Sequence, residues 1–211
     1  MSANSQITSD LSQAVGGMDI YLLDQVLRGR VNPSLRVFDA GCGRGRNIAY
    51  FLRSGYEVFA VDPEPGAIEH VRLLAAELAP RTPSSNFRTE RIEDSTFPEH
   101  SADLVISCAV LHFARSDAEF KAALFGSWRI LAPGGLFFCR LASNIGLEDR
   151  VRCLEGRRHL LPDGSERYLV DEEMLLGLTA ELGGALLDPI KTTVVQDQRS
   201  MTTWVFAKAS G

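Results

Sequence analysis

The run Val37-Phe38-Asp39-Ala40-Gly41-Cys42-Gly43-Arg44-Gly45-Arg46-Asn47 limits what this chain can become more than any other stretch. Leu35 to Ala40 reads as a short buried strand, and a helix follows from about Asn47 to Ser54, carrying Ile48, Phe51 and Leu52. Between them the glycines leave no side chains in the way. A ligand can approach the backbone there, and free N–H groups at the helix start can meet a polar or anionic group. The glycines run G-x-G-x-G, not the G-x-G-x-x-G of dinucleotide binders. Asp39 stands two residues before the first glycine. A carboxylate there repels a pyrophosphate and suits a cationic amine.

The second strand, Glu57 to Val61, runs into Asp62 and Pro63. An acid at that place can accept both hydroxyls of a ribose. The competing reading is an Asp that caps the next helix. That helix, Ala67 to Leu78, is amphipathic and stops at Pro80. Phe87 to Ile92 is the third strand and Asp103 to Ser107 the fourth. Asp117 to Leu131 is a helix, Pro133-Gly134-Gly135 a turn, and Leu136 to Leu141 the fifth strand. A helix over Asp171 to Leu182 precedes two strand-like runs, Asp188 to Val195 and Thr202 to Lys208.

Short apolar runs alternating with amphipathic stretches argue for βαβ units: an α/β, Rossmann-like, doubly wound and mostly parallel sheet with helices on both faces. The last two runs lie too close together for a crossover, so they form an antiparallel hairpin. Arg150 to Val170, with the turn Leu161-Pro162-Asp163-Gly164-Ser165, breaks the alternation and reads as an irregular insertion or a hairpin. The expected division is a flexible segment over 1–17 and a single domain over 18–211, with 142–170 as a substrate-side insertion.

With 45% hydrophobic and 23% charged residues, the chain matches an ordinary globular protein. A formal charge of -5 argues against a nucleic-acid partner. No apolar run is long enough to span a membrane. The segment Met1 to Gly17 lacks the layout of a secretory signal, so the expected location is cytoplasmic. Cys42, Cys108, Cys139 and Cys153 form no C-x-x-C pair and no zinc-type spacing with histidine. They read as buried thiols, and no metal is expected.

Taken together, VFDAGCGRGRN, Asp62, Ser107-Cys108-Ala109-Val110-Leu111-His112 and Ile130-Leu131-Ala132-Pro133-Gly134-Gly135 resemble the pattern of class I S-adenosylmethionine-dependent methyltransferases. The glycine segment is similar to that of small-molecule enzymes of the tellurite- and thiopurine-resistance type. The resemblance covers about Arg36 to Leu141 and implies about seven strands. It implies that S-adenosylmethionine is the cofactor and S-adenosylhomocysteine the product. Gly41, Cys42 and Gly43 would lie under the methionine part, and Asp39 would orient its amino group. Asp62 would hold the ribose, with Pro63 near the adenine. Cys108 and Ala109 would lie near the sulfonium. The family's acidic adenine contact aligns with Arg91, a departure. Either a backbone N–H of Ile92 or Glu93 serves instead, or the register shifts to Glu93-Asp94.

His112 could face the substrate as a base. The competing reading is a packing residue. The acceptor, a small molecule, would meet Tyr21, Arg140, Arg157, Arg158, His159 and Tyr168; the Arg157-Arg158-His159 cluster reads equally as a solvated loop. Two other functions compete. A nicotinamide-dependent oxidoreductase shares the βαβ start, but no Tyr-x-x-x-Lys pair exists. A silent cofactor-binding protein would bind without turnover. Oligomeric state is not legible.

Overall fold

The computed structural model describes residues 12–210. One sheet of eight strands organises them. Its parallel part comprises β1 (Arg36–Ala40), β2 (Glu57–Asp62), β3 (Phe87–Thr89), β4 (Ala102–Cys108) and β5 (Leu131–Ala142). The chain then adds β9 (Gly184–Leu186), β10 (Lys191–Val195) and β11 (Arg199–Lys208). The order is β10-β11-β5-β4-β1-β2-β3, with β9 also pairing β11. Strands β1 to β5 pair in parallel, while β11 runs antiparallel to β5, β9 and β10.

The parallel strands are apolar through their middles, with charged residues mostly towards their ends, because both faces are covered. On one face, Val37, Val58, Leu104, Ile106 and Phe138 pack against Leu22 of α1 (Ile20–Leu27), Phe51 of α2 (Ala49–Arg53), and Ile68 and Val71 of α3 (Pro65–Leu78). On the other, Phe38, Val105, Phe137 and Trp204 meet Phe120 and Leu124 of α4 (Asp117–Ile130) and Leu175 of α5 (Glu172–Glu181). Alternate residues of one strand thus feed two cores. Side-chain caps start the helices: Asp19 accepts from Tyr21 N, Ser116 from Glu119 N, and Asp171 from Met174 N.

The expected doubly wound sheet, its order of elements and its C-terminal antiparallel pair are what the chain forms. The details differ in four places. β3 ends at Thr89, because the chain turns over 91–94. β5 begins at Leu131 and absorbs Pro133-Gly134-Gly135, where its register against β4 shifts. Within 142–170 a three-stranded antiparallel meander forms from β6 (Arg152–Glu155), β7 (Arg158–Leu160) and β8 (Glu166–Tyr168). Cys153 on β6 is exposed, so only three of the four cysteines are buried thiols. Of the opening segment, 1–11 lie outside the described residues; 12–15 are helical, and Val15 packs on the core beside Met18. Among the described residues no helix is long and apolar enough to cross a membrane.

Candidate active site

The glycine turn leaves the carboxyl end of β1 and is tied to β2. Gly41 N and Cys42 N both donate to Val61 O, at 2.9 and 3.0 Å. Gly41 has φ +82°, and a Cβ there would stand 2.7 Å from Val110 Cγ2. Both the backbone conformation and the space demand glycine. At Gly43 a Cβ would meet nothing within 4 Å, because the position faces open space.

Asp62 closes the turn. Its Oδ2 accepts from Gly43 N at 2.8 Å and its Oδ1 from Glu64 N at 2.9 Å. Glu64, not Asp62, is the residue that caps α3. A carboxylate has about four acceptor sites, so Asp62 keeps two for a ligand.

A cavity of about 400 Å³ lies over this turn. Gly41, Gly43, Asp62, Pro63, Arg91, Ile92, Glu93 and Ala109 all line it. Sequence reasoning had assembled those eight from four separate segments. Arg91 points at two carboxylates, Glu93 and Glu119, so its charge is matched within the cavity wall. Gly126 of α4 brings the helix onto the 92–93 backbone: a Cβ there would stand 2.8 Å from Ile92 O.

Asp39, Cys42 and Cys108 sit behind the wall. Asp39 is 1% exposed and its Oδ2 has no partner. Burial pushes its pKa up to about 7 against the pull of Arg46. Burial pushes Cys42 up as well, and lifts Cys108 to about 12 with help from Asp19. Neither thiol is a nucleophile at neutral pH.

A second cavity, about 350 Å³, adjoins the first, and the two share Ala109 and Phe113. Ala109 has φ +62°, a costly conformation for a residue with a side chain. Its N–H donates to Arg140 O at 2.7 Å, which holds it there. His112 and Arg140 line this cavity, as do Asp163, Arg167 and Arg199.

His112 is buried, and Ala142 N donates to its Nδ1 at 3.0 Å. Burial and then Arg167 push its pKa down to about 4. A neutral ring whose Nδ1 accepts must carry its proton on Nε2. Of the two readings of His112, its burial and the Ala142 N–H on its Nδ1 fit a packing residue better than a base.

Arg140 is part of the second cavity's wall. Its Nη1 donates to Asp19 Oδ2 at 2.8 Å, its guanidinium covers the Tyr21 ring at 5.0 Å, and its Nε is buried without a partner. Cys108 Sγ donates to the same Asp19 oxygen at 3.6 Å.

The other expected acceptor contacts lie outside both cavities. Tyr21 packs under Arg140 and bonds Thr193 Oγ1 through its hydroxyl. Arg157 pairs with Asp171 at 2.7 Å and Arg158 with Glu166 at 2.6 Å, each satisfying its charge locally. His159 Nδ1 bonds Arg157 O. Tyr168 is 1% exposed, stacks on Phe120 and donates its hydroxyl to Asp117. Arg167 and Arg199, missed by sequence reasoning, come from β8 and β11; no local pattern marks them. Asp163 was visible only as a turn residue.

Residues 38–139 match a family model described as a methyltransferase domain. An uncharacterized methyltransferase of Synechocystis sp. is 29% identical over 107 residues, covering 51% of this chain and 47% of the relative. A tRNA N(3)-methylcytidine methyltransferase of Drosophila melanogaster is 28% identical over 166 residues, 70% of this chain and 48% of the relative. The chain spans 47% to 63% of the length of the curated relatives it matches. Among solved structures, the 1,6-didemethyltoxoflavin-N1-methyltransferase of Burkholderia thailandensis, with 1,6-didemethyltoxoflavin and S-adenosylhomocysteine bound, superposes with a TM-score of 0.67 at 21% identity. The match covers 98% of this chain and 83% of that one.

Proposed function

We propose that this chain is a class I S-adenosylmethionine-dependent methyltransferase that transfers a methyl group from S-adenosylmethionine to a small-molecule acceptor, a reading supported by the methyltransferase-domain match over 38–139. One observation carries the reading. A cavity over the glycine turn and a second cavity adjoin at one small residue, Ala109. That is the arrangement a two-substrate transfer needs: each partner has its own chamber, and the reacting atoms meet at the junction.

The residues fit the cofactor. Asp39 has a buried, unpartnered oxygen suited to an ammonium group. The two free acceptor sites of Asp62 suit ribose hydroxyls. The backbone at Ile92 and Glu93 takes the adenine edge, since Arg91 is already held by Glu93 and Glu119. When bound, the cofactor supplies a methyl group already activated on a sulfonium.

The protein's part is alignment and exclusion of water. The cavity residues would hold the acceptor's nucleophile at Ala109, where the two cavities adjoin, so that it could take the methyl group the cofactor would supply. With His112 a packing residue and not a base, the acceptor's proton leaves to water.

A tRNA acceptor, as named for the Drosophila relative, is disfavoured here by the net charge of -5. Buried free thiols at Cys42, Cys108 and Cys139 support a reducing, cytoplasmic setting. Calorimetric titration with S-adenosylmethionine, S-adenosylhomocysteine and NAD tests the reading. Micromolar binding of the first two, lost in Asp62→Ala, is expected. Binding of NAD alone would overturn it.

A further inference from the structure

The second cavity is positive although the protein is acidic. Three guanidiniums reach it from three elements far apart in sequence: Arg140 on β5, Arg167 on β8 and Arg199 at the start of β11. Two carboxylates face them. Asp19 takes Arg140, and Asp163 lies in the field of Arg167 and Arg199. Among the described residues, neither Arg167 nor Arg199 has a carboxylate within 4.0 Å. The Arg199 side chain makes no hydrogen bond there, and Arg167 makes one, to Glu166 O. Three cations against two anions leave one positive charge unmatched.

Elsewhere the chain ties guanidiniums down either with backbone carbonyls, as at Arg72, Arg88 and Arg129, or with carboxylates. Arg36, Arg157 and Arg158 each sit on a carboxylate at 2.6 to 2.8 Å. Arg167 has a single backbone carbonyl, Glu166 O, and lies 4.9 Å from the ring of Phe113, one of the two residues that both cavities share. The remaining wall mixes apolar side chains, Phe113, Leu161, Val195 and Met201, with the polar His112, Ser165 and Ser200.

A chamber of mixed wall with one positive charge unmatched suits a small molecule that carries a single negative charge. Arginine's planar fork matches a carboxylate through two parallel hydrogen bonds. We infer that the methyl acceptor is a small carboxylate, anchored by Arg167 and Arg199 while its other end lies at Ala109. The inference rests on the methyl-transfer reading for the word acceptor, but the anion site stands on its own residues.

The test is to titrate the protein with benzoate and phenylacetate, each against its carboxamide, with and without saturating S-adenosylhomocysteine. The wild type is compared with Arg199→Ala and with Arg167→Ala/Arg199→Ala. At least one acid should bind about tenfold or more tightly than its amide, the difference expected for one charge-assisted hydrogen bond. The double variant should lose that preference while its S-adenosylhomocysteine affinity and melting temperature stay unchanged. Arg199→Ala, altering an exposed side chain, should lose part of it.

Equal binding of acid and amide, an unchanged preference in the variants, or no binding of either acid would overturn the inference. S-adenosylhomocysteine binding with no acid preference would sink only this inference. An acid preference without S-adenosylhomocysteine binding would sink the methyl-transfer reading and leave the carboxylate site standing.

Discussion

Asp19 and Arg140, 121 residues apart, form an ion pair of 2.8 Å at the wall of the second cavity. The same carboxylate caps α1 by accepting from Tyr21 N at 3.0 Å. Its own N–H donates to Asn47 Oδ1 beside the glycine turn. One buried residue thus joins the first helix, the turn and the fifth strand. Removing one partner of a buried pair leaves the other charge stranded. Asp19→Ala should therefore cost about 3 kcal/mol in urea unfolding. A loss near 0.5 kcal/mol, the size of a surface pair, would show that water replaces the carboxylate.

His112 sets one limb of the stability–pH curve. Its folded pKa of about 4 lies below the ordinary 6.5, so the unfolded chain binds the proton first. Stability is present in full above pH 6.5 and is lost as pH falls towards 4, by about 3 kcal/mol at the limit. His112→Asn keeps an acceptor for Ala142 N and does not titrate. It should flatten that limb in melting temperatures taken from pH 7 to pH 4. An unchanged slope would mean that His112 is protonated in the fold.

Asp39 sets the opposite limb. Its folded pKa of about 7 exceeds the ordinary 3.8, so the folded chain holds the extra proton. Its contribution to stability is present below pH 3.8 and lost as pH rises through 7. Asp39→Asn should raise the melting temperature of the cofactor-free protein at pH 8, where the wild type buries an unpartnered charge. The same change should weaken S-adenosylhomocysteine binding by about tenfold or more, the worth of one charge-assisted hydrogen bond. Tighter binding of the cofactor product by the variant would refute a role for Asp39 at the ammonium.

Gly41→Ala tests the closeness of the turn to Val110. The new Cβ would stand 2.7 Å from Val110 Cγ2 on a backbone at φ +82°. The strain should cost about 2 kcal/mol in thermal or urea unfolding. Val110→Ala in the same chain should restore part of this, since it removes the clash and leaves the φ strain. No recovery in the double variant would show that conformation alone forbids a side chain.

Much of the cofactor-side cavity was legible because its signals are local. Gly41, Gly43, Asp62 and Pro63 are read from two strand ends, and each strand announces itself by an apolar run. The 91–93 segment followed only from the family resemblance. Arg91 looked out of place there because Glu119, the second carboxylate that holds it, belongs to a helix further along. The role of His112 was not legible. A histidine's tautomer depends on what touches each nitrogen, and the partner of His112, Ala142, lies 30 residues on, at the end of β5.

By itself the sequence determined the alternation of strands and helices, the antiparallel ending and the glycine turn, since these follow from periodicity and from backbone freedom along a few neighbouring residues. Tertiary structure alone decided which arginines are spent and which are available. Arg157 and Arg158, adjacent in the chain, are neutralised by Asp171 and Glu166 and Arg140 by Asp19, while Arg167 and Arg199 meet from two strands at one cavity with no carboxylate of their own. Charge pairing falls off over a few ångströms in space, and separation along the chain carries almost no information about that distance.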